Sequence, residues 1–443
     1  MSPHHALRAV AVALVALLMA CQSPTPDVEH IVRAALERRG WPATSVLVID
    51  RGRVLANVGH KTPLDRDPQD LVYPLGSISK MFTAAALHRL AEHGHVDLSA
   101  RVTDYLHDWP PSWKAVRVHQ LLGHTSGVAD FWFVPEAARL AADPHSRAID
   151  LARVMAQVPL EFEPGTRFSY SNTAYQAAAR IIEHRTGLSY DAYLTREFFT
   201  PLDMTSMHHC RGDAKEMAGH VLRNGQPVTV PNENYDTARG DGGLCGSARD
   251  LARWFRAIAS GAVGKGPSWD TYASPQRLPD GTNVPYGHGI SLRPLGRNQK
   301  LGHHGAMAGH SAMVGWYPAA DLTVIVLASV GGVSADAVEQ KVAAALLGIV
   351  APAPILGDPP SFHTGRFDVG PFEVSVSARD GSLWLESARP GPHGPLVRIA
   401  AASYALDGDP WGVILHFECA NERCPAIRLH MAGMEWRGQD IAQ

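Results

Sequence analysis

The sequence predicts an α/β architecture of the α+β kind: an antiparallel sheet flanked by helices, with a helical region inserted between its strands and a small all-β C-terminal domain. Three observations carry this. Two apolar runs near the start are separated, by a long stretch of mostly helical spacing, from alternating runs that begin after Gly287. Proline and small residues then crowd 351–360, a linker signal. Beyond it, short alternating stretches such as Ser382-Leu383-Trp384-Leu385-Glu386 recur between glycines and prolines, the pattern of a small sandwich or barrel over 361–443.

Taken in order, Val28 to Arg39 reads as a helix, and Ser45–Asp50 with Arg53–Val58 as a hairpin turning at Arg51-Gly52. Helical spacing follows over Ser77–Glu92, Ala137–Val158 in pieces, Thr173–Arg185 and Tyr190–Phe199. Ser247 with Asp250 three residues on starts a capped helix over Ala248–Ala259. Gly289–Leu292, Lys300–His303, Ser311–Tyr317 and Thr323–Ala328 alternate as antiparallel strands, and Ala335–Leu347 closes the domain as a helix. The hairpin and the late strands are expected to form one sheet. The domain runs over 28–350, long enough to bury a core without staples.

The first residues read as a processing signal. His4, His5 and Arg8 precede an apolar stretch, Ala9–Ala20, too short to span a bilayer comfortably. Leu18-Met19-Ala20-Cys21 resembles a bacterial lipobox, which makes 1–21 a lipoprotein signal, Cys21 the lipidated mature terminus and 22–27 a tether. An ordinary cleaved secretory signal is the alternative. Either way the chain is expected to be exported, the lipobox reading placing it on a membrane of the bacterial envelope, facing the periplasm. The other cysteines then meet an oxidising compartment. Cys419 and Cys424 lie close enough to close a short loop and Cys210 and Cys245 are available to pair, but spacing settles neither.

A net charge of −3 and the absence of a basic run argue against a nucleic-acid partner, which needs clustered cations to neutralise phosphates. No motif calls for a cofactor.

The catalytic signal begins at a lysine. Of seven lysines only Lys80 has a serine three residues before it, in Leu75-Gly76-Ser77-Ile78-Ser79-Lys80. With 27 serines in the chain, chance alone supplies about 0.4 such pairs, so the motif is weak by itself. Its chemistry is nonetheless coherent. On one helix face the hydroxyl and the amine meet, and an amine kept neutral by its surroundings can take the serine's proton. Tyr170-Ser171-Asn172 adds a second element, as no other tyrosine here has asparagine two positions on. Gly302-His303-His304-Gly305, before an apolar strand-like run, adds a third.

These three elements in this order resemble the serine β-lactamase and penicillin-binding protein superfamily, specifically the class C β-lactamase-like serine hydrolases, which read Ser-x-x-Lys, Tyr-x-Asn and Lys/His-x-Gly. Val118-His119-Gln120-Leu121-Leu122-Gly123-His124-Thr125-Ser126-Gly127 and Gly242-Gly243-Leu244 with Ser247-Ala248-Arg249-Asp250-Leu251-Ala252 resemble further segments of that family. The resemblance implies a β-lactamase/transpeptidase-like fold and an acyl-serine mechanism. It implies Ser77 as nucleophile, Lys80 as its activator and Tyr170 as partner base, with its phenol shifted down beside the Lys80 ammonium. It implies Asn172 as a support holding Lys80 and a substrate amide, the backbone N–H groups of Ser77 and Ala306 as the oxyanion hole, and His303, His304 and Gly305 as substrate-binding residues.

One departure matters. Penicillin-hydrolysing relatives usually carry lysine at the position of His303, and histidine is a weaker permanent cation. The expected substrate is therefore a small ester or amide, or a peptidoglycan-type peptide, handled by an esterase or a D-amino-acid peptidase or amidase. β-Lactamase or DD-carboxypeptidase activity is the minor alternative, and a non-catalytic relative binding peptidoglycan or protein is another.

Other features invite rival readings. Gly123-His124-Thr125-Ser126-Gly127 places its serine one position late for a nucleophile elbow and reads as a structural turn. The 23 histidines include no His-Glu-x-x-His run, and His303 and His304, adjacent in a strand, should face opposite ways rather than share a metal. Arg239-Gly240-Asp241 reads as a turn. Trp109, Trp113 and Trp132 lie in loop-like regions suited to lining a cleft, whose walls are expected from Phe131–His145, Gly212–Tyr235 and the residues after Ala306.

Overall fold

The computed structural model describes residues 27–37, 40–107, 110–369, 373–379, 381–387, 393–407, 409–431 and 434–441. The signal reading with Cys21, the tether reading up to residue 26, and Trp109 lie outside the described residues.

The N-terminal hairpin and the late strands do make one antiparallel sheet. Strands β1 (Thr44–Asp50), β2 (Arg53–His60), β3 (Leu301–Met307), β4 (His310–Tyr317) and β5 (Leu322–Ala328) lie in the order β3-β4-β5-β1-β2. The chain leaves the sheet after β2, builds the helical region, and returns as β3 on the free edge. β1 and β5 are central and read as continuous apolar runs because both of their faces are covered. On one side lie α1 (Val28–Glu37) and α5 (Ala335–Leu347), which share a core with Val46, Val48, Val324 and Val326. On the other, Leu47, Ile325 and Leu327 face the inserted helices.

The centre of that insert is α2 (Ser79–Glu92), whose Met81, Phe82 and Ala84–Leu87 are all buried. A helix apolar on every side belongs inside a domain rather than on its surface. Against it packs α3 (Asn172–Thr186), started by the Ser171 hydroxyl, which accepts the Ala174 N–H at 3.2 Å. The capped helix read at Ser247 is α4 (Ala248–Ser260), with Ser247 Oγ accepting from Asp250 N. Gly289–Leu292 is not a strand: only Ser291 bridges, to Tyr286 and to Gly302 of β3.

The C-terminal unit resolves the sandwich-or-barrel alternative. Strands β6 (Gly365–Asp368) to β13 (Met434–Asp440) form a closed meander in which the first pairs with the last, Phe367 opposite Asp440. Closure removes the exposed edges, and Phe367, Val374, Leu385, Leu415, Phe417 and Leu429 fill the interior. Cys210 is bonded to Cys245 and Cys419 to Cys424. Among the described residues no helix is long and apolar enough to cross a membrane.

Candidate active site

Ser77 sits in a 3-10 turn, Gly76–Ile78, that runs directly into α2. The turn begins with Gly76 at φ +53°, and a Cβ there would lie 2.7 Å from Ala306 N. Only glycine lets the backbone before the nucleophile rest against β3. Gly305 serves the same approach, since a Cβ on it would meet Leu75 O at 1.9 Å. Two further pegs seat the turn. Ser79 Oγ accepts the Leu244 N–H at 3.1 Å, and Thr83 Oγ1 donates to Gly240 O at 2.6 Å, tying α2 to the 240–244 segment.

Lys80, one turn beyond Ser77 and fully buried, has three partners: Ser77 Oγ at 3.1 Å, Asn172 Oδ1 at 2.7 Å and Asp241 O at 2.7 Å. An ammonium has three protons, and all three are spent here. Burial lowers its pKa to about 8, opposed by the Asp241 and Asp130 carboxylates. A neutral Lys80 would keep the Asn172 and Asp241 contacts and turn its lone pair to the Ser77 hydroxyl. That is the geometry of a general base.

Asn172 is itself oriented. Its Nδ2 and its backbone N–H donate to Asp130 Oδ2 at 2.9 and 3.1 Å, which turns Oδ1 toward Lys80 and commits one amide hydrogen that was expected for substrate. Asp130 and Asp241 are buried carboxylates, each raised in pKa mainly by that burial. Sequence reading missed Asp130 altogether and read 239–241 only as a turn. The motif residues are spaced locally, whereas Lys80 and Asp241 meet across 161 positions.

Tyr170 reaches the cluster but in a different state from the one expected. Lys80 Nζ lies over its ring, 4.9 Å from the centroid, and Lys80's hydrogen bonds go elsewhere. The hydroxyl is buried, forms no hydrogen bond of full geometry, and is approached by Ser77, the one influence that lowers its pKa. Burial outweighs it, and with Asp130 and Asp241 pushes the phenol well above its ordinary range. Burial thus favours the neutral phenol of Tyr170 over the ionised form that was expected.

The 123–127 segment, read as a structural turn, supports Tyr170. His124, in a left-handed conformation at φ +56°, accepts the Ser171 N–H on Nδ1 at 3.1 Å and lays its ring 4.2 Å from that of Tyr170. Burial holds this imidazole well below its usual range, so it stays a neutral acceptor.

His303 is corrected. It is buried, its ring 6.3 Å from that of Tyr170 and bonded through Nε2 to Tyr286 Oη at 2.9 Å, and burial keeps its pKa well below the imidazole range. It supplies no cation at neutral pH. His304 keeps solvent exposure, yet its ring stacks on that of His303 at 5.3 Å instead of facing away from it. His303, His304 and Gly305 do not line the cavity that opens on Ser77.

That cavity, of about 310 Å³, is lined by Ser77, Asn172, Asp241 and Ala306 on its catalytic side. Its walls come from the three expected segments, through Phe131 and Trp132, Glu233 and Asn234, and Met307 and Ala308. Trp132 fulfils the cleft reading, whereas Trp113 is buried in the core. Ser77 and Ala306 both line this cavity, as an oxyanion hole built from their backbone N–H groups requires.

The sheet, the inserted helices and the serine at the head of a buried helix define a β-lactamase/transpeptidase-like protein. The chain belongs to the Beta-lactamase family, whose profile matches residues 28–348. It is 28% identical over 307 residues to a D-aminopeptidase of Brucella anthropi, covering 64% of this chain and 55% of that protein. To a D-aminopeptidase of Brucella canis it is 27% identical over 336 residues, covering 72% and 62%. The chain therefore spans little more than half the length of these curated relatives. Among solved structures, the octameric penicillin-binding protein homologue from Pyrococcus abyssi superposes with a TM-score of 0.66 at 22% identity, over 94% of this chain and 100% of that one. A D-amino acid amidase from Ochrobactrum anthropi SV3 gives 0.62 at 23% identity, over 73% and 98%. At these identities the likeness shows the fold.

Proposed function

We propose that the chain is a serine hydrolase that transfers a D-aminoacyl group from an amide or ester to Ser77 and then to water. The observation that carries this is the Ser77–Lys80 contact of 3.1 Å at the base of an open cavity, with an amine whose pKa falls to about 8. Ser77 Oγ attacks the acyl carbon and its proton passes to neutral Lys80 Nζ. The oxygen that gains charge faces the N–H groups of Ser77 and Ala306, where one such donor contributes on the order of 3 kcal/mol. Neutral Tyr170 gives its proton to the departing amine or alkoxide, and its phenolate then takes up the proton that Lys80 received from Ser77. Water then attacks the ester by the reverse route.

The D-aminoacyl choice is supported by the D-aminopeptidase relatives and by the charge of the cavity. A penicillin or a C-terminal carboxylate needs a cation to meet it, and the His303 position offers a neutral imidazole. Activity should therefore appear on D-alanyl p-nitroanilide and p-nitrophenyl esters and be at least about tenfold weaker in kcat/KM on a cephalosporin reporter, the deficit of one missing charged contact. A preference for the cephalosporin would overturn this reading. Export with a lipid anchor at Cys21 is proposed with it, supported by the two disulfides. In the native host, Cys21→Ser should move the protein from the membrane fraction to the soluble one; unchanged membrane retention would refute the anchor.

A further inference from the structure

We propose that Glu233 receives the positively charged amino group of the substrate's acyl residue, so that the site selects substrates with a free N-terminal ammonium. This rests on the D-aminoacyl reading above and adds the residue that enforces it. Glu233 lines the same cavity as Ser77 and Ala306. Its Oε1 accepts the backbone N–H of Ala308, two residues beyond the oxyanion donor, so carboxylate and oxyanion site are held by one stretch of chain. Ala308 opens the turn that follows β3, so the carboxylate stands just past the end of the strand that carries the oxyanion donor, on the side where the amino group of an acyl residue held at Ala306 would need a partner.

The carboxylate is also pre-positioned. The next residue, Asn234, donates through Nδ2 to Asp143 O at 2.6 Å and Ser146 O at 2.8 Å, and through Oδ1 accepts the Asp236 N–H, fixing the loop from three sides. What Glu233 lacks is a cation. Among the described residues no lysine, arginine or histidine forms an ion pair with it, and its titration is governed only by burial, which raises the pKa, and by the Ala308 N–H, which lowers it. The one ammonium of the site, Lys80, has its protons on Ser77, Asn172 and Asp241. A half-buried carboxylate left without a counter-charge is costly, and a ligand that brings one removes the cost. The neighbouring wall of Phe131, Trp132, Ala141, Ala238 and Met307 suits the apolar side chain of the same residue.

The test compares kcat/KM for D-alanyl p-nitroanilide and its N-acetylated form on the full chain, in wild type, Glu233→Gln and Glu233→Asp. Wild type should favour the free amine. In Glu233→Gln, which keeps the Ala308 contact, that preference should fall by about 10- to 100-fold, through KM more than kcat, as for one charged hydrogen bond. Glu233→Asp should retain part of it. Equal losses on both substrates, or a wild type indifferent to acetylation, would overturn the assignment while leaving the hydrolase reading standing. A wild type that cleaves p-nitrophenyl acetate but neither D-alanyl substrate would sink the D-aminoacyl reading and Glu233 with it.

Discussion

Ser77→Ala should lower kcat/KM on D-alanyl p-nitroanilide by about 10⁴- to 10⁶-fold, the range seen when a serine nucleophile is removed and only binding and oxyanion contacts are left. The fold should not suffer. Ser77 lies in a turn held by other residues, by Gly76 against Ala306, by Ser79 on Leu244 and by Thr83 on Gly240. Its hydroxyl makes one hydrogen bond of full geometry, with Lys80, and alanine leaves that amine its other two partners. Thermal denaturation should therefore show a Tm within a few degrees of wild type, since a change of about 1 kcal/mol moves Tm by roughly 2–4 °C in a domain of about 150–250 residues and by less in a longer one.

Lys80→Met should have the second largest effect, about 10³- to 10⁵-fold in kcat/KM, because the side chain has similar length but nothing to take the serine's proton. The pH dependence tests the role as well as the size. Neutral Lys80 is the active form, so wild-type kcat/KM should rise as pH climbs through about 8 and then level. Stability follows in the same direction. The folded pKa of about 8 lies below the ordinary 10.5, so between those values the unfolded chain holds more protons than the folded one. The penalty of burying the ammonium is complete below pH 8 and is relieved as pH rises toward 10.5. Tm measured across that window should gain more in wild type than in Lys80→Met. A pH profile in wild type that is flat through 8, or one that survives the substitution, would assign the base elsewhere.

The parts of the site that were legible in the sequence are those written in local spacing. Ser77 and Lys80 are one helical turn apart, and Tyr170 and Asn172 flank the cap of α3, so short-range geometry alone predicts where they point. The sheet was legible because β1 and β5 are apolar runs bounded by turn residues, though Gly289–Leu292, which meets β3 at Ser291 alone, shows that alternation by itself makes no strand. Asp130 and Asp241 were not legible. Their part in the site comes from burial beside Lys80 and Asn172, which depends on how distant segments close over α2. Tyr170 shows the same limit from the other side: proximity to an ammonium argued for a lowered pKa, but only the packed structure reveals that desolvation is the larger influence. His303 was judged by its residue type, whereas the burial that keeps it neutral comes from how β3 packs in the folded domain, where Tyr286 from another segment bonds its Nε2.

The most direct test of the central claim, that Ser77 is a nucleophile activated by Lys80, is to treat the protein with a fluorophosphonate and map the adduct by peptide mass spectrometry. A single adduct on Ser77, formed faster as pH rises through about 8 and lost in Ser77→Ala, is the predicted result. An adduct on another residue, or labelling that persists without the Ser77 hydroxyl, would contradict it.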